Sequence, residues 1–224
     1  MTATVMSAAA RTAAARGAFV LFEGADRCGK STQAQRLVHA LRERGVAAEL
    51  WRYPDRTTAM GKMIDEYLRS KSEMTDGAIH LLFAANRWEK KELMERKLSE
   101  GVTLVCDRYS YSGVAFTAAK GVDGLDLDWC RAPEVGLPRP DALMYLELSL
   151  EEASRRGGFG EERYETNEMQ RKVTENFEKM KENWWDIVDA NRDMDVIHEE
   201  VVSIAMAAVE KCQQGEPLKR LWEK

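Results

Sequence analysis

The run Gly24-Ala25-Asp26-Arg27-Cys28-Gly29-Lys30-Ser31 carries a glycine at each end of a short loop, then a lysine and a hydroxyl residue. That spacing suits polyphosphate binding. Glycines let the backbone curl with its N–H groups facing inward, so that they and the N-terminus of a following helix cradle the anion. Lys30 then reaches the terminal phosphates and the Ser31 hydroxyl ligates Mg²⁺. Gly24, Arg27, Cys28, Gly29, Lys30, Ser31 and Thr32 are the phosphate-side candidates.

Such a loop serves switch GTPases, motor ATPases and small-molecule kinases alike, so the rest of the chain must decide between them. No Asn-Lys-x-Asp guanine signature is present. Instead Arg27, Arg56, Arg87, Arg108, Arg155, Arg156 and Arg163 punctuate the sequence. Moving a phosphoryl group between two anions needs that much positive charge, because donor and acceptor repel each other until it is neutralised. A kinase acting on a phosphorylated acceptor fits best.

The elements that must position these residues follow from periodicity. The apolar run Ala18-Phe19-Val20-Leu21-Phe22 precedes the loop, and an amphipathic helix ending at Gly45 follows it. Further strands are predicted at 46–53, 102–106, 141–148 and, more weakly, 186–188, with helices over 77–100, 151–156, 165–183 and 194–212. Strands alternating with helices imply crossover units and an α/β fold, a mostly parallel sheet with helices on both faces. In that fold the ligand sits at the carboxyl ends of the strands. Gly24 onward, Tyr53-Pro54-Asp55-Arg56 and Asp107-Arg108-Tyr109 each follow a predicted strand.

With 224 residues the chain suits one domain able to bury a core unaided. Its formal charge of −5 argues against a nucleic-acid clamp or a membrane-surface protein, and no run approaches the length of a membrane span. A cytoplasmic protein is expected. Four cysteines and three histidines are scattered without metal-ligand spacing, so neither zinc nor a disulfide framework is expected. Residues 1–16, rich in Ala, Thr and Arg, read as a disordered extension or as a weak organelle-targeting peptide, and nucleus and mitochondrion stand beside the cytoplasm as further compartments. Residues 17–224 form the expected single domain.

Taken together, Phe22-Glu23-Gly24-Ala25-Asp26-Arg27-Cys28-Gly29-Lys30-Ser31-Thr32-Gln33, Asp107-Arg108-Tyr109-Ser110-Tyr111-Ser112-Gly113-Val114-Ala115-Phe116 and Gly136-Leu137-Pro138-Arg139-Pro140-Asp141 resemble the signatures of thymidylate kinase, in its eukaryotic form. The likeness spans 17–224 and includes Leu81-Leu82-Phe83-Ala84-Ala85-Asn86-Arg87-Trp88 and Arg163-Tyr164-Glu165. It implies a P-loop NTPase fold of the nucleoside monophosphate kinase type with a five-stranded parallel core, and a homodimer. It implies transfer of the γ-phosphate of ATP to dTMP, giving dTDP for dTTP biosynthesis, with Mg²⁺ required.

By the same resemblance, Asp26 accepts a hydrogen bond from the sugar 3′-hydroxyl, and Arg27 bridges donor and acceptor phosphates. Arg56 and Arg108 clamp the acceptor phosphate, and Asp107 joins Ser31 at the metal. Phe83 stacks on the pyrimidine while Arg87, on the same helix face, donates to thymine O4; Phe116 and Tyr164 close the sugar and base pocket. A lid over 154–165 brings Arg156 onto ATP, and Arg192 falls at the adenine loop. Each role has a plainer rival: an Asx turn for Asp26, a helix cap for Asp107, a core ring for Phe83, a surface arginine for Arg87. Two positions depart from the family pattern. Tyr53-Pro54-Asp55-Arg56 stands where Phe-Pro-Glu-Arg is common, which would alter base packing, and Cys28 replaces a small residue such as Ala, with a thiol that oxidation or alkylation could reach. A deoxynucleoside or other nucleotide kinase, or an inactive nucleotide-binding regulator, remains as an alternative function.

Overall fold

In the computed structural model, residues 15–155 and 163–223 are described. Strand β1, Phe19–Glu23, is buried at every position, and its side chains alternate between two separate cores. Val20 and Phe22 face one side; Phe19 and Leu21 face the other. A strand buried on both faces cannot be polar on either, which is why it reads as a continuous apolar run.

The remaining strands are β2 (Ala48–Arg52), β3 (Thr103–Asp107), β4 (Ala142–Glu147) and β5 (Asp186–Asp189). They form one five-stranded sheet in the order β2-β3-β1-β4-β5, and every pairing is parallel. Each parallel step requires a helical crossover. Helices α1 (Lys30–Glu43) and α9 (Met194–Gln213) cover the face carrying Val20 and Phe22. The opposite face is covered by α4 (Lys91–Ser99), α5 (Ser110–Ala118) and α8 (Asn167–Met180). A third small core, Ile64, Tyr67, Leu68 and Ile79, joins α2 (Ala59–Leu68) to α3 (Asp76–Trp88). The short helices α6 (Leu127–Arg131) and α7 (Leu150–Arg155) and a 3-10 turn at Ala132–Glu134 complete the connections. Among the described residues no helix is long and apolar enough to cross a membrane.

The single helix predicted over 77–100 is two helices, with Glu89 and Lys90 between them. No proline or glycine marks this break; long-range bonds hold it. Thr58 Oγ1 donates to Glu89 Oε1 at 2.7 Å, Lys90 pairs with Asp55, and Trp88 Nε1 donates to Pro133 O at 2.6 Å. The turn lets α4 pack Met94 and Leu98 beneath the sheet.

The boundary expected at residue 17 also moves. Arg16 is buried, and its guanidinium donates to both Asp141 oxygens at 2.7 Å, while Asp141 Oδ2 also accepts the Phe19 N–H at 2.8 Å. The folded unit therefore includes Arg16, which ties the start of β1 to the start of β4. Breaking a buried pair leaves an uncompensated charge. Arg16→Ala is expected to cost about 2–4 kcal/mol and lower Tm by roughly 4–12 °C, read by thermal unfolding.

Candidate active site

Three chain segments leave the carboxyl ends of adjacent strands and meet around one cavity of about 480 Å³. From β1 comes the phosphate loop. Gly24 holds φ +139°, and a Cβ there would lie 2.6 Å from Leu146 O, so only glycine permits this approach to β4. Gly29 adopts the left-handed conformation immediately before α1, whose first turn, Lys30, Ser31 and Thr32, lines the cavity. Lys30 Nζ donates to Ala25 O at 2.6 Å and lies 3.5 Å from Cys28 Sγ. The loop lysine is thus folded back on its own loop.

Cys28 is 2% exposed and belongs to the core behind the loop. Its expected reactivity toward oxidants and alkylators is not supported, because burial denies them access.

From β3 come Asp107 and Arg108. Ser31 Oγ donates to Asp107 Oδ2 at 2.5 Å, whereas the other oxygen, Oδ1, is buried without a hydrogen-bond partner among the described residues. The helix-cap alternative for Asp107 is set aside, since α5 begins at Ser110 without any side-chain cap. A hydroxyl and a carboxylate with one oxygen left unpartnered fit Mg²⁺, which is commonly held by one or two protein oxygens together with substrate phosphates and water.

Arg108 has φ +68° and pairs with Asp26, and its Nη1 donates to Ser112 Oγ at 3.0 Å. Asp26 also accepts from Gln170 Nε2 at 2.6 Å, while its backbone N–H donates to Gln170 Oε1 at 3.0 Å. Asp26 is therefore held by side chains from β3 and α8, not by an Asx turn. Burial pushes its carboxyl pKa upward, but Arg108, Lys30, the Gln170 bond and Arg27 outweigh that and hold it below the usual carboxylate range. Arg27, with φ +68°, places Nη2 3.8 Å from Glu165 Oε2 at the cavity rim.

From β2 comes the loop carrying Tyr53 and Arg56. Arg56 donates to Asp65 at 2.6 Å and faces the cavity. The hydroxyl of Tyr53 points away from the cavity and lies 3.4 Å from Met94 Sδ, so the family departure at this position changes the core under the site. On α3, Phe83 and Arg87 both line the cavity. Phe83 is only partly buried, and Arg87 is 2% exposed, so neither a sealed core ring nor a surface arginine describes them. Phe116 and Tyr164 also line the cavity with ring centroids 5.8 Å apart, and Arg108 lies 5.3 Å over the Phe116 ring. The Tyr164 hydroxyl is hydrogen-bonded to that of Tyr67 at 3.2 Å.

Three expected residues, Gly24, Cys28 and Arg192, do not line this cavity. Arg192 lies beyond β5 and pairs with Glu200 on α9. Arg156 lies outside the described residues. Of the other lid arginines, Arg155 pairs with Glu151 and Glu152, and Arg163 donates to Glu73 and the Ser72 carbonyl while packing 4.2 Å over the Tyr67 ring.

Several residues escaped sequence reasoning. Glu23, fully buried, accepts from the Tyr109 and Ser112 N–H groups at 2.9 and 3.1 Å and from Ser112 Oγ at 2.5 Å, fixing the loop that presents Arg108. Burial pushes the Glu23 carboxyl up against those bonds. Gln170 and Glu134 carry no local signal at all. Arg52, the last residue of β2, lines the cavity with Nε 3.6 Å from Asp107 Oδ2; its place at a strand's carboxyl end was the available clue.

A glycine-flanked anion cradle, a metal-suited hydroxyl and carboxylate, and arginines facing an aromatic pocket define a P-loop kinase of nucleoside monophosphates. A family model for thymidylate kinase matches residues 22–201. A thymidylate kinase of Homo sapiens is 46% identical over 214 residues, covering 94% of this chain and all of that protein. One of Arabidopsis thaliana is 49% identical over 207 residues, covering 92% of this chain and 78% of that protein. The solved structure of thymidylate kinase from Candida albicans superposes with a TM-score of 0.83 at 36% identity, covering 92% of this chain and 99% of that one. The chain belongs to the thymidylate kinase family.

A carboxyl whose folded pKa is depressed adds stability above its unfolded value of about 4, and that contribution is lost as pH falls toward the lower folded value. Asp26→Asn removes it. The stability gap between parent and variant, measured by urea unfolding, is expected to be widest near pH 6 and to shrink below about pH 4; a gap independent of pH would deny the Arg108 pairing a role in stability.

Proposed function

We propose that the chain transfers the γ-phosphoryl group of ATP to dTMP, giving ADP and dTDP, with ATP phosphates on the loop and dTMP in the cavity beside it. The observation that carries this reading is one cavity lined both by Lys30, Ser31 and Thr32 and by Arg56, Arg108, Phe83 and Arg87. A phosphate acceptor is already ionised and needs charge neutralisation, whereas a nucleoside hydroxyl needs a base. Asp26 is the carboxylate closest in role to such a base, yet Arg108 and Lys30 hold its pKa down, making it a poor proton acceptor. That favours dTMP over a deoxynucleoside as acceptor.

In this reading Arg56 and Arg108 receive the dTMP phosphate, which draws Arg108 toward substrate while Asp26 turns to the sugar 3′-hydroxyl, steadied by Gln170. Lys30 leaves the Ala25 carbonyl for the donor phosphates. Arg27, at the rim between the two phosphate sites, offsets charge developing on the transferred group, joined by Arg156 from the lid. Ser31 and Asp107 would hold Mg²⁺, which when bound neutralises the donor phosphates. Phe83 stacks on the base, Arg87 donates to its O4, and Phe116 with Tyr164 shields the sugar and crowds a ribose 2′-hydroxyl. Arg192 serves the adenine side beyond β5. A homodimer would use the apolar surface of α2 and α3, where Met63, Leu81 and Trp88 are exposed while Ile79 is committed to the intramolecular core.

The Candida albicans relative has broad substrate specificity, so acceptor choice is the direct test. With ATP and Mg²⁺, ADP formation is expected to be fastest with dTMP among dTMP, dUMP, dCMP, dGMP and thymidine; preference for thymidine would overturn the phosphate-acceptor argument. Arg27→Ala is expected to lower kcat by about a hundredfold, the loss of one charge-stabilising donor worth roughly 3 kcal/mol. A near-normal kcat in that variant would move the role to the lid.

A further inference from the structure

Arg87 is a buried charged group at the cavity, and it is held by a residue that does not line the cavity. Its Nε donates to Glu134 Oε2 at 2.8 Å, and its Nη2 donates to Glu134 Oε1. Glu134, in the 3-10 turn before β4, is 0% exposed, and its Oε2 also accepts from Ser110 Oγ at 2.8 Å. On the other side lies Gly113 of α5: a Cβ there would fall 2.5 Å from Arg87 Nη2 and 3.2 Å from Cζ. The guanidinium is therefore gripped along one edge by a two-pronged carboxylate and laid against helix backbone that only glycine leaves open. Nη1 alone has no hydrogen-bond partner among the described residues, and Arg87 lines the cavity.

We propose that Glu134 is a positioning residue for base selection: by engaging Nε and one N–H of Nη2 and locking the guanidinium plane, it turns the opposite edge, headed by Nη1, toward the acceptor base as a fixed set of donors. The proposal rests on the reading that Arg87 reads the base. A guanidinium has donors only, in a rigid fork. Held this way it complements a ring carbonyl oxygen and opposes an exocyclic amino group, whose own donors would face Nη1 with no acceptor between them. A guanidinium free to turn could swing aside and let water bridge to the amino group, so discrimination depends on the lock as well as the arginine. The buried carboxylate also keeps the plane fixed when the cavity is empty, so that orientation need not be organised during binding.

A purely structural role for the pair predicts equal damage to all acceptors. The readout is therefore the ratio of kcat/KM for dTMP to that for dCMP. Glu134→Gln keeps the side-chain volume but turns a donor toward the fork. It is expected to lower this ratio by about tenfold and to raise KM for dTMP while KM for ATP stays within about twofold. Gly113→Ala, whose methyl takes the space of Nη2, is expected to lower the ratio in the same direction and serves equally should Glu134→Gln fold poorly. In an Arg87→Ala background, adding Glu134→Gln should leave the ratio within about twofold, because the carboxylate acts only through the arginine. If Arg87→Ala lowers the ratio and neither Glu134→Gln nor Gly113→Ala does, the positioning role is overturned while base reading by Arg87 stands. If Arg87→Ala itself leaves the ratio unchanged, both fall.

Discussion

The structure depends on holding several guanidinium groups around one cavity without letting their mutual repulsion push them apart. Each arginine that faces the cavity meets a carboxylate: Arg108 meets Asp26, Arg87 meets Glu134, Arg56 meets Asp65, and Arg27 and Arg52 approach Glu165 and Asp107. The pairs differ in what they permit. Glu134 is fully buried and keeps its arginine in one orientation, whereas Asp26 and Asp65 are partly exposed and can release theirs to an incoming phosphate. A chain of net charge −5 can thus present a local anion trap.

The sheet makes that clustering possible. Because β1 is buried on both faces by helices on either side, its only open ground is its carboxyl end, and the parallel pairing aligns the ends of β1, β2 and β3. Glu23, at the last position of β1, then takes up the backbone N–H groups of the turn after β3. The same buried carboxylate orients Ser112, which in turn bonds Arg108. Strand order, loop conformation and arginine position form one continuous chain of contacts.

Burial separates function from apparent chemistry at two positions. Cys28 sits in the phosphate loop yet packs into the core, and the Tyr53 hydroxyl turns to the Met94 sulfur rather than to the cavity. Residue type suggested reactivity in the first case and altered base contact in the second. Burial takes the thiol out of reach in the first case, and in the second it turns the hydroxyl into the core while the rest of Tyr53 still lines the cavity.

Sequence by itself determined the phosphate loop, the five strands of a parallel sheet, the placement of Asp26 and Arg108 at the carboxyl ends of those strands and the shared helix face of Phe83 and Arg87, whose place at the site came from the family resemblance. These are legible because they rest on local requirements: glycine at the tight approach beside Leu146, alternating burial along β1, and a four-residue helical spacing between Phe83 and Arg87. Only the tertiary structure decided that α3 and α4 are separate helices, that Arg16 belongs to the fold, and that Glu134, Gln170 and Glu23 hold the site's charged groups. Arg87 and Glu134 stand 47 positions apart, and Asp26 and Gln170 stand 144 apart. A hydrogen bond across such a separation depends on where packed elements carry two side chains, and no local pattern of residue types encodes that distance.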